Sequence, residues 1–297
     1  MTNAACMRAL LSGTDMVIAP GAYDGITARL IDQAGFSAIY MTGAGTAATF
    51  GYPDYGLVTM SEMAENAERI VRAVKVPVIA DADTGYGNEL NVVRTVREYE
   101  RRGVAGLHLE DQGFPKKCGH LDDKEIVPRE DWLAKIRAAA SARVDPDFLI
   151  IARTDARAVL GFDEAVARAN AALAAGADMA FLEAPQTMEE VAAVPKLVKG
   201  PCLLNVVWGG KSPDLDLHDA QAMGYRLAIV PGLLFKATMA ACDDALAALR
   251  AQHRHPVPAH QMTVRQAFAR VGAEEWDALR TRFRDSSPAQ RPAKAAE

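Results

Sequence analysis

Lys116-Lys117-Cys118-Gly119-His120 sets one thiol among three basic side chains, just downstream of Glu110 and Asp111. Cations beside a cysteine stabilise its thiolate, so a reference pKa of about 8.5 is expected to fall toward neutrality. Gly119 lets the backbone pass close to a bound substrate. A thiol between Lys117 and His120 is suited to giving or taking a proton, which makes all three candidate catalytic groups. The competing reading, Cys118 as a small buried hydrophobe, fits poorly with neighbours so polar.

Asp81 and Asp83 are two residues apart, so on a strand they share a face. Two converging carboxylates repel unless a cation lies between them, and hard oxygen ligands favour Mg²⁺ or Mn²⁺. Glu110 is expected beside them from the next strand. Mg²⁺ keeps several waters, so all three are expected to bind partly through water. The alternative is that one aspartate caps a helix and the other pairs with a lysine. A divalent ion chelated by an α-oxygenated carboxylate polarises its oxygen. The backbone at Thr42, Gly43 and Ala44 is placed to hold such a carboxylate, with Arg153 adding a bidentate contact. Arg153 interrupts the apolar run Leu149–Ala152, which argues against a surface ion pair. Tyr40 is read as helping to remove a hydroxyl proton, or else as a core tyrosine with one hydrogen bond. Asn205 and Glu183 are expected to orient the far end of the substrate or the Cys118 loop. His120 is equally well read as an anchor of that loop to Glu183.

These residues need a scaffold that brings them together. Apolar, β-branched runs occur at Met16–Ala22, Ala38–Gly43, Val76–Asp83, Ala105–Asp111, Phe148–Asp155, Met179–Ala184, Cys202–Val207 and Leu227–Gly232. Helical patterns alternate with them: Gly25–Ala34, Met60–Val74, Glu89–Arg101, Arg129–Ala142, Asp163–Ala175, Thr187–Val194, Leu217–Ala222 and Lys236–Arg250. Gly35, Gly103, Gly176 and Gly224 each read as the stop between helix and strand. Asp163, and Ser61 or Thr59, read as helix caps. This alternation predicts a closed (β/α)₈ barrel over 1–250, with the polar residues at the C-terminal strand ends. An open doubly wound sheet is the alternative, but the glycine-rich dinucleotide turn is missing. His253–Pro258 should break the last barrel helix. A helical arm is expected over 251–284, with Val264, Phe268, Val271, Trp276, Leu279 and Phe283 as apolar contacts, and a disordered tail over 285–297.

Half of the 297 residues are hydrophobic, enough for a large core, and the net charge of −5 gives no footprint for nucleic acid. No apolar run approaches the roughly 20 residues that span a bilayer. The N-terminus lacks a signal-peptide core. Cys6, Cys118, Cys202 and Cys242 have neither paired nor metal-ligand spacing, and a cytoplasmic protein with reduced thiols is expected.

Lys-Lys-Cys-Gly-His after a strand ending Glu-Asp resembles the signature of the isocitrate lyase and phosphoenolpyruvate mutase superfamily. The resemblance runs from about Val17 to Lys236 and is nearest to the short lyases acting on methylisocitrate or dimethylmalate. It implies that Asp81, Asp83 and Glu110 hold the metal, with Asp54 of Gly-Tyr-Pro-Asp-Tyr-Gly near it. It also implies a homotetramer in which C-terminal helices reach a neighbouring subunit. Thr42 stands where methylisocitrate lyases carry serine, Trp208 where several relatives carry glutamate, and Lys236 where methylisocitrate lyases carry arginine. Lysine keeps that charge in a substrate-binding position but loses the bidentate fork. A tryptophan removes an acid and reshapes the pocket, so a smaller or more apolar malate derivative is expected. The implied reaction is retro-aldol cleavage of a 2-hydroxy acid, with Cys118 protonating the carboxylate-stabilised carbanion. Hydrolysis or decarboxylation of oxaloacetate is the second reading, and a non-catalytic metabolite-binding barrel the third. Phosphonomutase activity fits less well, because those relatives lack the Cys-Gly-His part of the loop.

Overall fold

Strands buried on both faces read as continuous apolar runs, and eight such runs here pair side by side. They are β1 (Val17–Ala22), β2 (Ile39–Met41), β3 (Val78–Asp81), β4 (Gly106–Glu110), β5 (Leu149–Thr154), β6 (Met179–Leu182), β7 (Cys202–Asn205) and β8 (Leu227–Val230). In the computed structural model, which describes residues 1–258 and 260–285, all neighbours are parallel. β8 returns to β1, so the sheet closes as the expected (β/α)₈ barrel.

The connecting helices form because their apolar residues recur every three or four positions. Met60–Ala73 buries Met63, Ala64, Ala67 and Ile70, and opens on a capping box between Thr59 and Glu62. Gly35, Gly103, Gly176 and Gly224 all take positive φ, the left-handed stop expected after each helix. Asp163 is not a cap. The helix Phe162–Ala174 starts from Gly161, and Asp163 and Glu164 sit in its first turn, where their charge suits the dipole.

The barrel interior is filled by Val17, Ala19, Tyr40, Ile79, Ile151, Phe181, Leu203, Leu227 and Ile229. Its N-terminal end is closed by a helix that the sequence reading missed, Asn3–Ser12, whose Met7 joins this cluster fully buried. Arg8 of that helix donates to the Asp147 carbonyl at 2.9 Å and pairs with Asp178 at 2.9 Å, ahead of β5 and β6. Two more unexpected helices, Gly43–Thr49 and Ala156–Val159, begin at the opposite end of the barrel, straight after β2 and β5.

Residues 1–242 form one compact unit containing the barrel, and a second unit starts at Asp243. The helix Leu233–Gln252 ends before His253, as the His-Arg-His-Pro segment implied. In the second unit, Val264–Arg270 is capped by Thr263, and Ala273–Asp285 follows. Val264, Phe268, Val271, Trp276 and Phe283 are exposed there. The tail expected to be disordered lies, beyond Asp285, outside the described residues.

Met7 carries the closure of the lower barrel. Met7→Ala is expected to lower stability by about 2–5 kcal/mol, read as an earlier urea midpoint. An unchanged midpoint would show that the helix merely lies on the surface.

Candidate active site

The C-terminal strand ends collect more buried charge than any packing argument requires. Asp81, Asp83, Glu110, Arg153, Asp155 and Glu183 are all nearly inaccessible. The expected geometry of the two aspartates is wrong in detail. β3 ends at Asp81, and Asp83 leaves the strand with φ +46°, so the pair do not share a strand face. They meet because the chain turns back: the Asp83 N–H donates to Asp81 at 2.9 Å.

Lys116 occupies the middle of this set. Its Nζ lies 2.5 Å from Asp54 and 2.9 Å from Asp83, and the residue is only 2 % exposed. Burial works against its charge, yet Asp83 and Asp54 hold its pKa well above the ordinary lysine value. Asp54 is thus brought to the site as expected, by a lysine. On the other side, Arg153 pairs with Glu110 at 2.9 Å and with Asp155 at 2.9 Å.

The carboxylates differ in electrostatic setting. Burial pushes Asp81 up, but His108, Lys116 and Arg153 outweigh it and hold the group at about 2. Asp83 is pushed up by burial, against Lys116, to about 6. Burial raises Glu110 well above the carboxylate range despite Arg153. Among the described residues, no three His, Cys, Asp or Glu side chains converge to grip an ion directly. Asp83 Oδ1 and both Glu110 oxygens are nevertheless buried without accepting a hydrogen bond, although their charges are paired. A hydrated divalent cation would supply the missing partners, so the donor set fits Mg²⁺ held mainly through water.

Tyr40 faces this cluster. Its hydroxyl lies 3.2 Å from Asp81 Oδ2 and 2.8 Å from His108 Nε2. Burial, then Asp81, raises the phenol well above its ordinary pKa. Burial also lowers His108 to about 4, against Asp81, so the imidazole is neutral. Sequence reasoning missed His108. The signal was present, since His108 and Glu110 alternate along β4 onto one face.

The loop after β4 is clasped over the strand ends. Gln112 and Ile126 pair across its base. Gln112 accepts the Lys117 N–H at 3.0 Å and donates to the Lys117 carbonyl at 2.8 Å. The Lys117 Nζ turns away to the Asp123 carbonyl, 3.3 Å distant, and does not flank the thiol as expected. The Cys118 N–H donates to the Asp54 carbonyl at 3.1 Å. The thiol pKa moves opposite to expectation: burial, then Asp54, pushes it up. Cys118 therefore keeps its proton at neutral pH.

His120 follows the anchoring alternative. Its Nδ1 accepts the Lys211 N–H at 3.0 Å, which leaves Nε2 to donate to Glu183 at 3.1 Å. Burial acts against the Glu183 charge, but Arg153 and His120 bring its pKa below the usual range. Asn205 donates to both Glu183 oxygens at 3.2 Å. Gly119 is packed so tightly that a Cβ would lie 2.3 Å from Glu183 and 2.5 Å from Arg153.

At β2, Thr42 caps the helix Gly43–Thr49 by accepting the Gly45 N–H at 3.4 Å. The Gly43 N–H, expected to hold a substrate carboxylate, donates to Asp81 at 3.2 Å. Two amides of that turn are thus used by the protein itself, while Ala44 follows in the first helical turn. Lys236 donates to the Trp208 carbonyl at 2.6 Å and lies 5.7 Å from its ring centre. Trp208, expected to reshape the pocket, is 76 % exposed and meets Lys236 through both its carbonyl and its ring.

Residues 7–250 match the sequence profile of the phosphoenolpyruvate phosphomutase family. The chain belongs to this family. It is 51 % identical over 245 residues to 2,3-dimethylmalate lyase of Eubacterium barkeri, covering 82 % of this chain and 85 % of the relative. It is 45 % identical over 240 residues to 2-methylisocitrate lyase of Aeropyrum pernix, covering 81 % and 77 %. Oxaloacetate acetylhydrolase bound to 3,3-difluorooxalacetate superposes with a TM-score of 0.91 at 39 % identity, over 97 % and 99 % of the two chains. A 2,3-dimethylmalate lyase of the PEP mutase/isocitrate lyase superfamily gives 0.90 at 39 % identity, over 100 % and 99 %. Phosphonopyruvate hydrolase with oxalate and Mg²⁺ gives 0.87 at 32 % identity, over 95 % and 99 %. The carbon–carbon lyase class expected from the loop is the class these lyase relatives carry.

Gly119→Ala is expected to hold the loop off Glu183 and Arg153. Faster hydrogen exchange across 112–126, with the barrel strands unaltered, would report it. Unchanged exchange would mean that the close approach is not a closure contact.

Proposed function

We propose that this protein is a Mg²⁺-dependent lyase that splits a 2-hydroxy dicarboxylate, a substituted malate in preference to a tricarboxylate. The observation that carries this reading is a buried cluster of carboxylates at the strand ends with the Cys118 loop fastened over it, the Cys118 N–H donating to the Asp54 carbonyl at 3.1 Å. Asp81, Asp83 and Glu110 would hold the ion, with Asp54 behind them through Lys116; Mn²⁺ suits the same oxygens. When bound, the ion polarises the oxygen on C2 of the substrate and stabilises the 2-keto acid as it forms.

The chain's own groups do the rest. Tyr40 takes the C2 hydroxyl proton while passing its own to His108 Nε2, 2.8 Å away, because a phenol buried beside a carboxylate is unsuited to waiting as phenolate. The C2–C3 bond breaks, and its electrons move onto C3 beside a carboxylate. Cys118 then delivers its proton to C3. Arg153 neutralises charge on the substrate, and Thr42, Ala44, Gly119 and Asn205 bound its pocket. Glu183 and His120 hold the loop, Lys117 lends it backbone contacts, and Lys236 with Trp208 forms the rim.

The likeness to oxaloacetate acetylhydrolase supports a second reading, hydrolysis of oxaloacetate by the same groups. We also propose a homo-oligomer, a tetramer by resemblance. The 20-residue helix Leu233–Gln252 has no buried residue, and its exposed Met239, Leu246 and Leu249 lie along one side, an apolar stripe that suits a second copy. No helix among the described residues is long and apolar enough to cross a membrane. A working free thiol suits the reducing cytoplasm.

A Mg²⁺-supplemented screen of substituted malates, methylisocitrate and oxaloacetate, detecting keto acid and oxalate, tests the assignment. Keto acid from a substituted malate is expected. Cys118→Ser should lose about 10²–10⁴-fold in turnover. Chelation with EDTA should abolish turnover, and Mg²⁺ should restore it. Oxalate from oxaloacetate with the malates untouched would select the hydrolase, and fast cleavage of methylisocitrate would overturn the substrate class.

A further inference from the structure

Lys124 belongs to none of the groups given a role above, yet it is almost as buried as they are. It is 8 % exposed, and its Nζ touches two partners, the Gly119 carbonyl and Asp155 Oδ1, the latter at 2.8 Å. Both ends of this contact are fixed. Asp155 is inaccessible, receives Arg153 through Nε at 2.9 Å and Nη2 at 3.2 Å, and its own N–H donates to Asp111 at 2.8 Å. The base of Lys124 is tied down by its neighbours, since Gly113 donates to the Glu125 carbonyl at 2.8 Å.

Gly119 is the residue between the thiol and the anchoring histidine. Its Cα rests against Glu183 and Arg153 with no room for a Cβ. A peptide unit is planar and trans, so its C=O and N–H point in opposite directions. Gripping the Gly119 carbonyl therefore decides where the N–H of the same unit, that of His120, points. That unit follows Cys118 with only the Gly119 Cα between, so the same grip fixes the backbone on the C-terminal side of the thiol.

We propose that Lys124 is a positioning residue for Cys118: by holding the Gly119 carbonyl against Asp155, it fixes the backbone beside the thiol and so sets Cys118 over the strand ends. The role rests on Cys118 being the acid of the proposed lyase.

Two readouts on the full-length protein separate the possible failures. Alkylation of Cys118 by iodoacetamide, followed by peptide mass spectrometry, needs no substrate. Lys124→Met is expected to change its rate at least several-fold, and Lys124→Arg to recover much of the wild-type rate. A rate unchanged in Lys124→Met overturns the proposal. If that variant does not fold, Lys124→Gln takes its place and is read in the same way: a rate changed several-fold supports the role, and an unchanged rate overturns it. The second readout is turnover. Lys124→Met should lower kcat by about 10²-fold with KM nearly kept, the size expected for a misplaced catalytic group. In a Cys118→Ser background the same substitution should cost little more, because the two act as a unit. Equal losses in both backgrounds would place Lys124 in the scaffold and overturn the proposal. Absence of turnover by wild type with every acid would sink the lyase reading, while alkylation would still decide the case of Lys124.

Discussion

Buried carboxylates govern this end of the barrel. Isolated charges of one sign in a low-dielectric interior cost several kcal/mol each, so such a cluster persists only when cations face it. Asp54 and Asp83 are answered by Lys116, Asp155 by Lys124 and Arg153, Glu183 by His120 and Arg153. Three of these four positively charged or donating partners, Lys116, His120 and Lys124, belong to the loop after β4. The loop after β4 therefore supplies most of the positive charge that neutralises the site.

This arrangement explains how a thiol in a basic sequence remains protonated. The lysines beside Cys118 in the chain spend their charge on carboxylates and a carbonyl, and the sulfur is left with burial and the Asp54 charge. A protonated thiol is of little use to a nucleophile and well suited to an acid. Glu110 meets Arg153 through Oε2 and keeps Oε1 buried without a partner, which is where a hydrated Mg²⁺ would complete the site.

Much of the architecture was legible in the sequence. Alternation of buried runs with helices, each ended by Gly35, Gly103, Gly176 or Gly224, leaves little besides a closed barrel. The polar residues at the strand ends were legible for the same reason, since Arg153 or Glu110 in an apolar run needs a cause. What escaped depended on backbone turns and side-chain reach, neither of which has a period. Asp83 looked like a strand neighbour of Asp81 but sits beyond a left-handed turn. Gly43 looked like a substrate cradle but starts a helix whose amide serves Asp81. Lys116 and Lys117 are indistinguishable on paper, and only the folded loop sends one inward and the other out. Lys124 carries no motif at all.

The central claim is that a fixed acid on the closed loop, not bulk water, protonates the departing fragment. Running the reaction in D₂O on a malate substituted at C3, then determining the configuration of the released acid by NMR, tests it most directly. A single deuterium of one configuration at the former C3 is what the Cys118 geometry predicts. Deuterium distributed over both configurations would mean that solvent delivers the proton, and would contradict the role given to the thiol and to the loop that holds it.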